Sequence, residues 1–145
     1  MDCYIVDIDG TVANIDHRLS HILKTEPDWD SFHDQCHLDQ PIESVINIVK
    51  LLADSSVSVI YCTGRWERNR LKTQAWLEQQ WLPWSPLYMR KDGDHRPDTI
   101  VKREMAEEIK GQGYKIIGVF EDRPSVCRMW REMGITCFQL TDKEF

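Results

Sequence analysis

The stretch YIVDIDGTVA, residues 4–13, decides the fold of this chain. Its apolar run ends in Asp7 and Asp9, and Gly10 and Thr11 follow at once. The run predicts a buried strand, yet two carboxylates with a single residue between them repel each other and are costly to bury. We therefore expect a group that offsets their charge at the end of this strand.

The rest of the chain alternates between strand-like and helix-like segments. Short apolar or β-branched runs predict strands at 3–8, 57–62, 86–89, 115–120 and 135–140. Helical spacing predicts helices at 43–54, 66–81, 98–110 and 124–133. Such alternation predicts an α/β fold with about five parallel strands and helices on both faces. Ligands of such sheets bind at the carboxyl ends of the strands, near the reversal of strand order.

The spacing of apolar and aromatic residues in the predicted helices indicates which side chains lie in the core. The helix over 66–81 is expected to bury Leu71, Ala75 and Trp76, and Trp130 is expected in the core of the helix over 124–133. The five cysteines form no CxxC pair, which favours small buried side chains in a reducing compartment.

The length of 145 residues predicts a single domain. Residues 14–40 are polar with scattered aromatic side chains, and we expect them to form a small helical cap. The start of the chain lacks the pattern of a signal peptide, and no apolar run reaches the length of a membrane span. A cytoplasmic protein with no membrane contact is therefore expected.

The charge is unevenly distributed. The net charge of −6 argues against nonspecific binding to nucleic acid, but residues 64–103 hold nine of the 18 basic residues. This stretch faces either an anionic ligand or the solvent. Three tryptophans near it are candidates for stacking on bases: Trp66, Trp81 and Trp84.

Polar side chains follow the predicted strands where a site is expected. Four carboxylates, those of Asp7, Asp9, Glu121 and Asp122, converge if the strands at 3–8 and 115–120 are neighbours. Such a cluster requires a cation, and a small set of oxygen ligands with open positions suits Mg²⁺. A bound cation in turn attracts a phosphate group.

These motifs resemble a known family. DIDGT, YCTGR, a downstream lysine and VFEDR resemble the haloacid-dehalogenase-type phosphatases. The chain is more similar still to the 3′-phosphatase domain of bacteriophage-type polynucleotide kinase/phosphatase, through VDIDGTVA, TGR, HRPDTIVKREM and EDRPSVCRMWREMGITCFQL. This resemblance, from Cys3 to about Leu140, implies one Rossmann-like three-layer sandwich over residues 1–145 with the cap at 14–40.

The resemblance implies roles for the reacting groups. Asp7 would be the nucleophile that forms an aspartyl-phosphate, and Asp9 would be the general acid and then the base. The Mg²⁺ ligands would be Asp7, the main-chain carbonyl of Asp9, and Asp122, with Glu121 acting through water.

The same resemblance implies groups that bind the phosphate. Lys102 would neutralise the phosphoryl group and the nucleophile, and Asp98 would orient Lys102. The Thr63 hydroxyl and the Gly64 amide would donate to phosphate oxygens. Further positive charge would come from Arg18, Arg65 and Arg123.

Three functions remain open from the sequence. The first is a phosphatase that removes a 3′-phosphate from DNA or RNA ends, and the second is a phosphatase of nucleotides or other small molecules. The third is a phospho-acceptor module without turnover, although such modules place the aspartate after a middle strand. The chain holds no GxxxxGK[ST] motif, so we expect it to lack 5′-kinase activity. Two arrangements stay open: a protein that acts alone, or one with a separate partner that supplies a kinase or a ligase.

Overall fold

A computed structural model of the protein describes residues 1–144. The elements follow in the order β1 (Asp2–Val6), β2 (Ala13–Asn14), α1 (Trp29–Asp34), β3 (Gln40–Pro41), α2 (Glu43–Ala53), β4 (Ser58–Trp66), α3 (Arg70–Gln79), β5 (Leu87–Arg90), α4 (Asp98–Gly111), β6 (Lys115–Glu121), α5 (Pro124–Glu132) and β7 (Cys137–Gln139). Short 3₁₀ turns occupy Asp16–His21, Cys36–Leu38 and Glu67–Asn69.

Five strands form one parallel sheet in the order β5-β4-β1-β6-β7. The chain runs outward from β1 through β4 to β5 and then returns to the other side of β1, so strand order reverses between β1 and β6. The α/β fold and the adjacency of these two strands are as predicted. Their carboxyl ends therefore meet where a ligand site is expected.

Alternating residues of the strands pack against helices on the two faces of the sheet. One face buries Val6, Val59 and Tyr61 against α2 and α3. The other buries Ile5, Ile60 and Cys62 against α4 and α5. Trp76 and Trp130 are buried in the respective cores, as predicted.

The prediction for the inner face of α3 was wrong for two residues. Leu71 is 81% exposed and Ala75 is also exposed, whereas Thr73, Trp76 and Leu77 are buried. The hydroxyl of Thr73 accepts a hydrogen bond from Arg65 Nη1 at 3.1 Å. Because the inner face contains this polar residue, a search for apolar spacing alone selects the wrong side of the helix.

Residues 14–40 fold over the carboxyl ends of the strands as short helical turns, and we call this segment the cap. It is joined to the sheet by the antiparallel pair of β2 and β3. Ile15, Ile22 and Phe32 form a small core of its own. Among residues 1–144, no helix combines the length and the apolar character needed to cross a membrane.

Candidate active site

The ends of β1 and β6 bring a lysine and three carboxylates together. Lys102, in the second turn of α4, donates from Nζ to Asp7 Oδ1 at 2.7 Å and to Glu121 Oε2 at 2.8 Å. The hydroxyl of Thr11 donates to Asp7 Oδ2 at 2.8 Å. Asp122 completes the group, and all its members are buried. The Asp7 carboxylate is therefore held in a fixed orientation.

The same carboxylates fit a divalent cation. One oxygen each from Asp7, Glu121 and Asp122 lies within 4.8 Å of the others, and residues 1–144 contain no second group of this kind. Burial first, and the Asp7 carboxylate second, raise the pKa of Asp122 to about 10 and that of Glu121 to about 7. A single lysine cannot balance three buried carboxylates. Because the donors are all oxygens, they suit Mg²⁺.

Two glycines provide the space that these side chains occupy. Gly10 has a φ of +81°, and a Cβ atom there would overlap the Asp122 carboxylate. A Cβ atom on Gly64 would lie 2.7 Å from Asp98 Oδ1. The glycines of the DIDGT and TGR motifs are therefore needed where β1 and β4 approach carboxylates from other elements.

The carboxylate of Asp9 is held by two arginines. Arg65 donates to Asp9 Oδ1 from Nε at 3.0 Å and from Nη2 at 2.6 Å, and Arg18 Nη2 donates to the same oxygen at 2.7 Å. Burial acts to raise the pKa of Asp9, but Arg65 and Arg18 outweigh it and hold this pKa well below its usual range. Both arginine side chains are fully buried. Both arginines contact Asp9, and their supply of positive charge near a phosphate stays a prediction.

Asp39 is a member of the site that the sequence analysis missed. It accepts from Arg18 Nε at 2.8 Å, from Arg65 Nη2 at 3.0 Å and pairs with His17 Nε2 at 2.6 Å. Its side chain is completely buried. Asp39 thus balances the same two guanidinium groups that hold Asp9, and Nη2 of each arginine contacts both carboxylates. It lies in an irregular segment after no predicted strand, so no sequence signal indicated it.

Asp98 orients arginines and not the lysine. It pairs with Arg90, and its Oδ2 accepts from Arg123 Nη1 at 3.1 Å. No hydrogen bond joins it to Lys102 among residues 1–144. Arg90 also donates to the Gly64 carbonyl at 3.0 Å, which ties the TGR turn to α4. The expected Asp98–Lys102 contact is corrected because the carboxylate turns toward the guanidinium groups.

A cavity of about 370 Å³ lies above these groups. Its polar lining consists of Asp7, Asp9, Gly64, Arg90, Asp94, Arg96, Asp98, Lys102, Glu121, Asp122 and Arg123, and its ring lining of Trp29, Phe32, His33, Trp66, His95 and Pro97. Thr63, predicted to bind phosphate, is buried instead beside the cavity, where its hydroxyl oxygen accepts the Arg65 N–H at 3.2 Å.

Only one of the three tryptophans considered for stacking reaches the cavity. Trp66 lines it at the end of β4. Trp81 and Trp84 lie between the end of α3 and the start of β5, which is the amino-terminal edge of a parallel sheet and opposite the cavity. Both are more than 80% exposed. Their proposed role in stacking near the phosphate is therefore wrong.

Comparison with known proteins decides the family. Residues 1–145 match the family described as "Polynucleotide kinase PNKP phosphatase domain". The chain belongs to this family. A putative bifunctional polynucleotide kinase/RNA ligase of Autographa californica nuclear polyhedrosis virus is 30% identical over 133 residues, which cover 90% of this chain and 18% of that protein. The family predicted from the motifs is confirmed.

Solved structures agree with this PNKP phosphatase family. Two chains, from structures described as the Pnkp1/Rnl/Hen1 complex and the Pnkp1/Rnl/Hen1 RNA repair complex, match with TM-scores of 0.85 and 0.84 and identities of 26% and 28%. The match covers 99% of this chain but only 46% and 43% of those chains. A class C acid phosphatase from Bacillus anthracis shares the fold, with a TM-score of 0.71 and 12% identity over 99% of this chain and 68% of that one.

Proposed function

We propose that this chain is a Mg²⁺-dependent phosphomonoesterase that acts through an aspartyl-phosphate and removes 3′-phosphates from nucleic-acid ends. The observation that carries the proposal is that Asp7 and Asp9 line one cavity but have opposite surroundings. Asp7 lies among carboxylates and Lys102, whereas Asp9 is held by two arginines. Two carboxyl groups with different environments are suited to different steps of one reaction.

Asp7 is the proposed nucleophile. One of its carboxylate oxygens forms a bond to phosphorus while the bond from phosphorus to the 3′-oxygen breaks. Lys102, 2.7 Å from Asp7 Oδ1, orients this oxygen and offsets negative charge on the phosphoryl group. Mg²⁺ held by Asp7 and Asp122, with Glu121 acting through water, would supply further positive charge at this point. The Asp9 main-chain carbonyl is a further proposed ligand.

Asp9 is the proposed acid and base. It gives a proton to the departing 3′-oxygen, and it then takes a proton from the water that hydrolyses the aspartyl-phosphate and releases inorganic phosphate. Arg65 and Arg18 keep this carboxyl ionised in the protein without substrate. The negative charge of an entering phosphate opposes the effect of the arginines and raises the pKa of Asp9, which favours the protonated form that the first step uses. The proton comes from the solvent or from the substrate phosphate in its singly ionised form.

The names of similar proteins support a nucleic-acid substrate. The viral relative is described as a polynucleotide kinase/RNA ligase, and one solved complex is described as an RNA repair complex. We therefore propose 3′-phosphorylated RNA or DNA ends as substrates and a kinase or ligase activity as the partner. The chain spans less than half of the solved relatives, so these activities would reside in other segments or proteins.

A substrate panel tests the proposal. We expect Mg²⁺-dependent phosphate release from 3′-phosphorylated RNA or DNA oligonucleotides and none from 5′-phosphorylated ones. Asp7→Asn should lower the rate by on the order of 10⁴-fold or more. The control Asp16→Asn, which changes an exposed residue of the cap, should leave the rate unchanged. Equal rates for the wild type and Asp7→Asn would overturn the enzyme assignment.

A free nucleotide is the second candidate substrate, because a cavity of about 370 Å³ is near the lower limit for small-molecule sites. A polymer makes more phosphate contacts than a mononucleotide, so its KM should rise more with ionic strength. We expect higher kcat/KM for 3′-phosphorylated oligonucleotides and a steeper salt dependence. A higher kcat/KM for free 3′-nucleotides would favour the second candidate.

A further inference from the structure

The cavity has two chemically different sides, and the proposed phosphoryl transfer uses only one of them. One part of the lining, which we call the floor, consists of Asp7, Lys102, Glu121 at the end of β6 and Asp122 directly after it. Another part of the lining consists of rings, which we call the aromatic wall: Trp29, Phe32, His33, Trp66 and His95. No ring of this wall hydrogen-bonds to the floor. A role outside the transfer step is therefore needed to explain it.

Four rings of the aromatic wall form a continuous series of contacts. His33 lies nearly parallel to Trp29, with 6.0 Å between ring centroids and 26° between planes, and nearly parallel to Trp66, at 6.3 Å and 22°. His95 meets Trp66 edge-on at 5.2 Å. The cap supplies three of the five rings, those of Trp29, Phe32 and His33. β4 supplies Trp66, and the loop after β5 supplies His95. Three separate parts of the chain thus build one ring surface.

Trp66 is at the centre of this surface. It is half-buried, it lies nearly parallel to His33 of the cap, and His95 of the loop meets it edge-on. The guanidinium of Arg68 lies over its ring at 5.1 Å. Trp29 is 47% exposed and His95 is exposed. Large rings left partly open to a polar cavity are poorly explained by core packing, but they suit a flat ligand.

We propose that the aromatic wall binds the base of the 3′-terminal nucleotide, with Trp66 as the main stacking surface. This inference rests on the proposed function and names the part of the substrate that the same cavity recognises. Stacking requires only a π-face, which every base has, so the wall recognises the presence of a base and not its identity. The volume of about 370 Å³ suits one nucleotide and not several.

Two matched substrates test this inference. One is an oligonucleotide that ends in an ordinary 3′-phosphorylated nucleotide, and the other is identical except for a tetrahydrofuran abasic residue at that end. The wild type should prefer the first by about 5- to 150-fold in kcat/KM, because stacking on one aromatic side chain gives binding differences of this size. Trp66→Ala should bring the ratio close to one, mainly through KM, and Trp66→Phe should keep most of the preference.

Trp84→Ala is the matched control, since this tryptophan is exposed at the opposite edge of the sheet. Its ratio should equal that of the wild type. A wild type that hydrolyses both substrates equally well, or a Trp66→Ala variant that keeps the full preference, would overturn the inference.

Failure of the proposed function has a different signature, namely no phosphate release from either oligonucleotide. In that case the dissociation constants of the two oligonucleotides decide the inference by themselves. Tighter binding of the base-containing end, lost in Trp66→Ala, supports it. Equal dissociation constants refute it.

Discussion

Arg65 donates both of its hydrogen bonds with Asp9 to a single oxygen, Oδ1, from Nε at 3.0 Å and from Nη2 at 2.6 Å. Arg18 donates to the same oxygen. Among residues 1–144, no hydrogen bond ends on Oδ2. The Asp9 side chain is 18% exposed and lines the cavity. One oxygen therefore fixes the orientation of the carboxyl group, and the other is open to a substrate.

Asp9→Asn should separate the two halves of the reaction. The variant has no acid for a 3′-oxygen leaving group, so phosphate release from 3′-phosphorylated ends should fall by about 10²- to 10⁴-fold. The nitrophenolate ion leaves without needing a proton, but hydrolysis of the aspartyl-phosphate still lacks its base. With p-nitrophenyl phosphate the variant should therefore release a burst of nitrophenol close to the enzyme concentration. Rapid-quench kinetics measures this burst. Asp7→Asn should give neither burst nor turnover, and the absence of a burst in Asp9→Asn would contradict the role of Asp9.

Asp39→Asn should weaken both the fold and the reaction. Its completely buried carboxylate balances two buried guanidinium groups, so removal of the charge should destabilise the protein by about 3 kcal/mol. Misplacement of Arg65 and Asp9 should also lower kcat, by about tenfold or more. Asp30→Asn is the control, because the Asp30–Arg68 pair is exposed and should contribute less than about 1 kcal/mol. Equal unfolding midpoints in urea for the two variants would contradict this account.

The stability of the protein without metal should decrease as the pH rises. In the folded chain the pKa of Asp122 is raised to about 10, whereas an unfolded aspartate titrates near 3.9. Between these values the folded state binds the extra proton, so unfolding becomes easier with increasing pH, by at most about 1.4 kcal/mol per pH unit from this group. Asp122→Asn should remove this contribution. Urea unfolding in EDTA at pH 5.5 and 8.5 measures it.

Added Mg²⁺ should restore stability to the wild type at pH 8.5 more than at pH 5.5, because the cation requires ionised ligands. Asp122→Asn should gain much less. If the wild type and the variant show the same pH slope in EDTA and the same gain in Mg²⁺, Asp122 is not a ligand.

Trp81→Gly should stabilise the protein. Trp81 has a φ of +60° at the end of α3, where its N–H donates to the Glu78 carbonyl at 2.9 Å and the Leu82 N–H donates to the Leu77 carbonyl at 3.3 Å. Glycine is favoured at this position of a helix end, and the Trp81 ring is 85% exposed. We expect a gain of about 1 kcal/mol in the free energy of unfolding. Trp84→Gly, where φ is not positive, should give no gain. A loss in Trp81→Gly would show that the ring contributes packing.

The sequence was sufficient to predict those residues of the site that directly follow strands. Asp7, Glu121 and Asp122 come directly after apolar runs whose ends meet in a parallel sheet, and Lys102 begins the second turn of a periodic helix. Local patterns therefore predicted three members of the acidic cluster, which lies beside Lys102 as expected. The fourth predicted member, Asp9, pairs with arginines instead. The metal and the reaction stay predictions.

The contacts of the buried arginines could not be predicted, because they depend on the direction of the side chains, which no sequence pattern specifies. Arg18 and Arg65 have the charge that suits a phosphate, but Asp39 draws both into a buried network. The irregular segment around Asp39 has no helical or strand-like spacing of apolar residues, so the sequence does not show that Asp39 is buried. Thr73 was missed for a related reason, since a polar residue that contacts Arg65 looks like surface in the sequence.

The network of Arg18, Asp39 and Arg65 has a consequence for how this chain can be rearranged. Arg18 and Asp39 belong to the cap, whereas Arg65 and Asp9 belong to the sheet. A chimera that received residues 14–40 from another phosphatase would lose two of the four charges of this network and leave Asp9 beside a lone guanidinium. The cap and the sheet beneath it can thus be transferred to another protein only together. Exchange of the cap alone would not give the enzyme a new substrate.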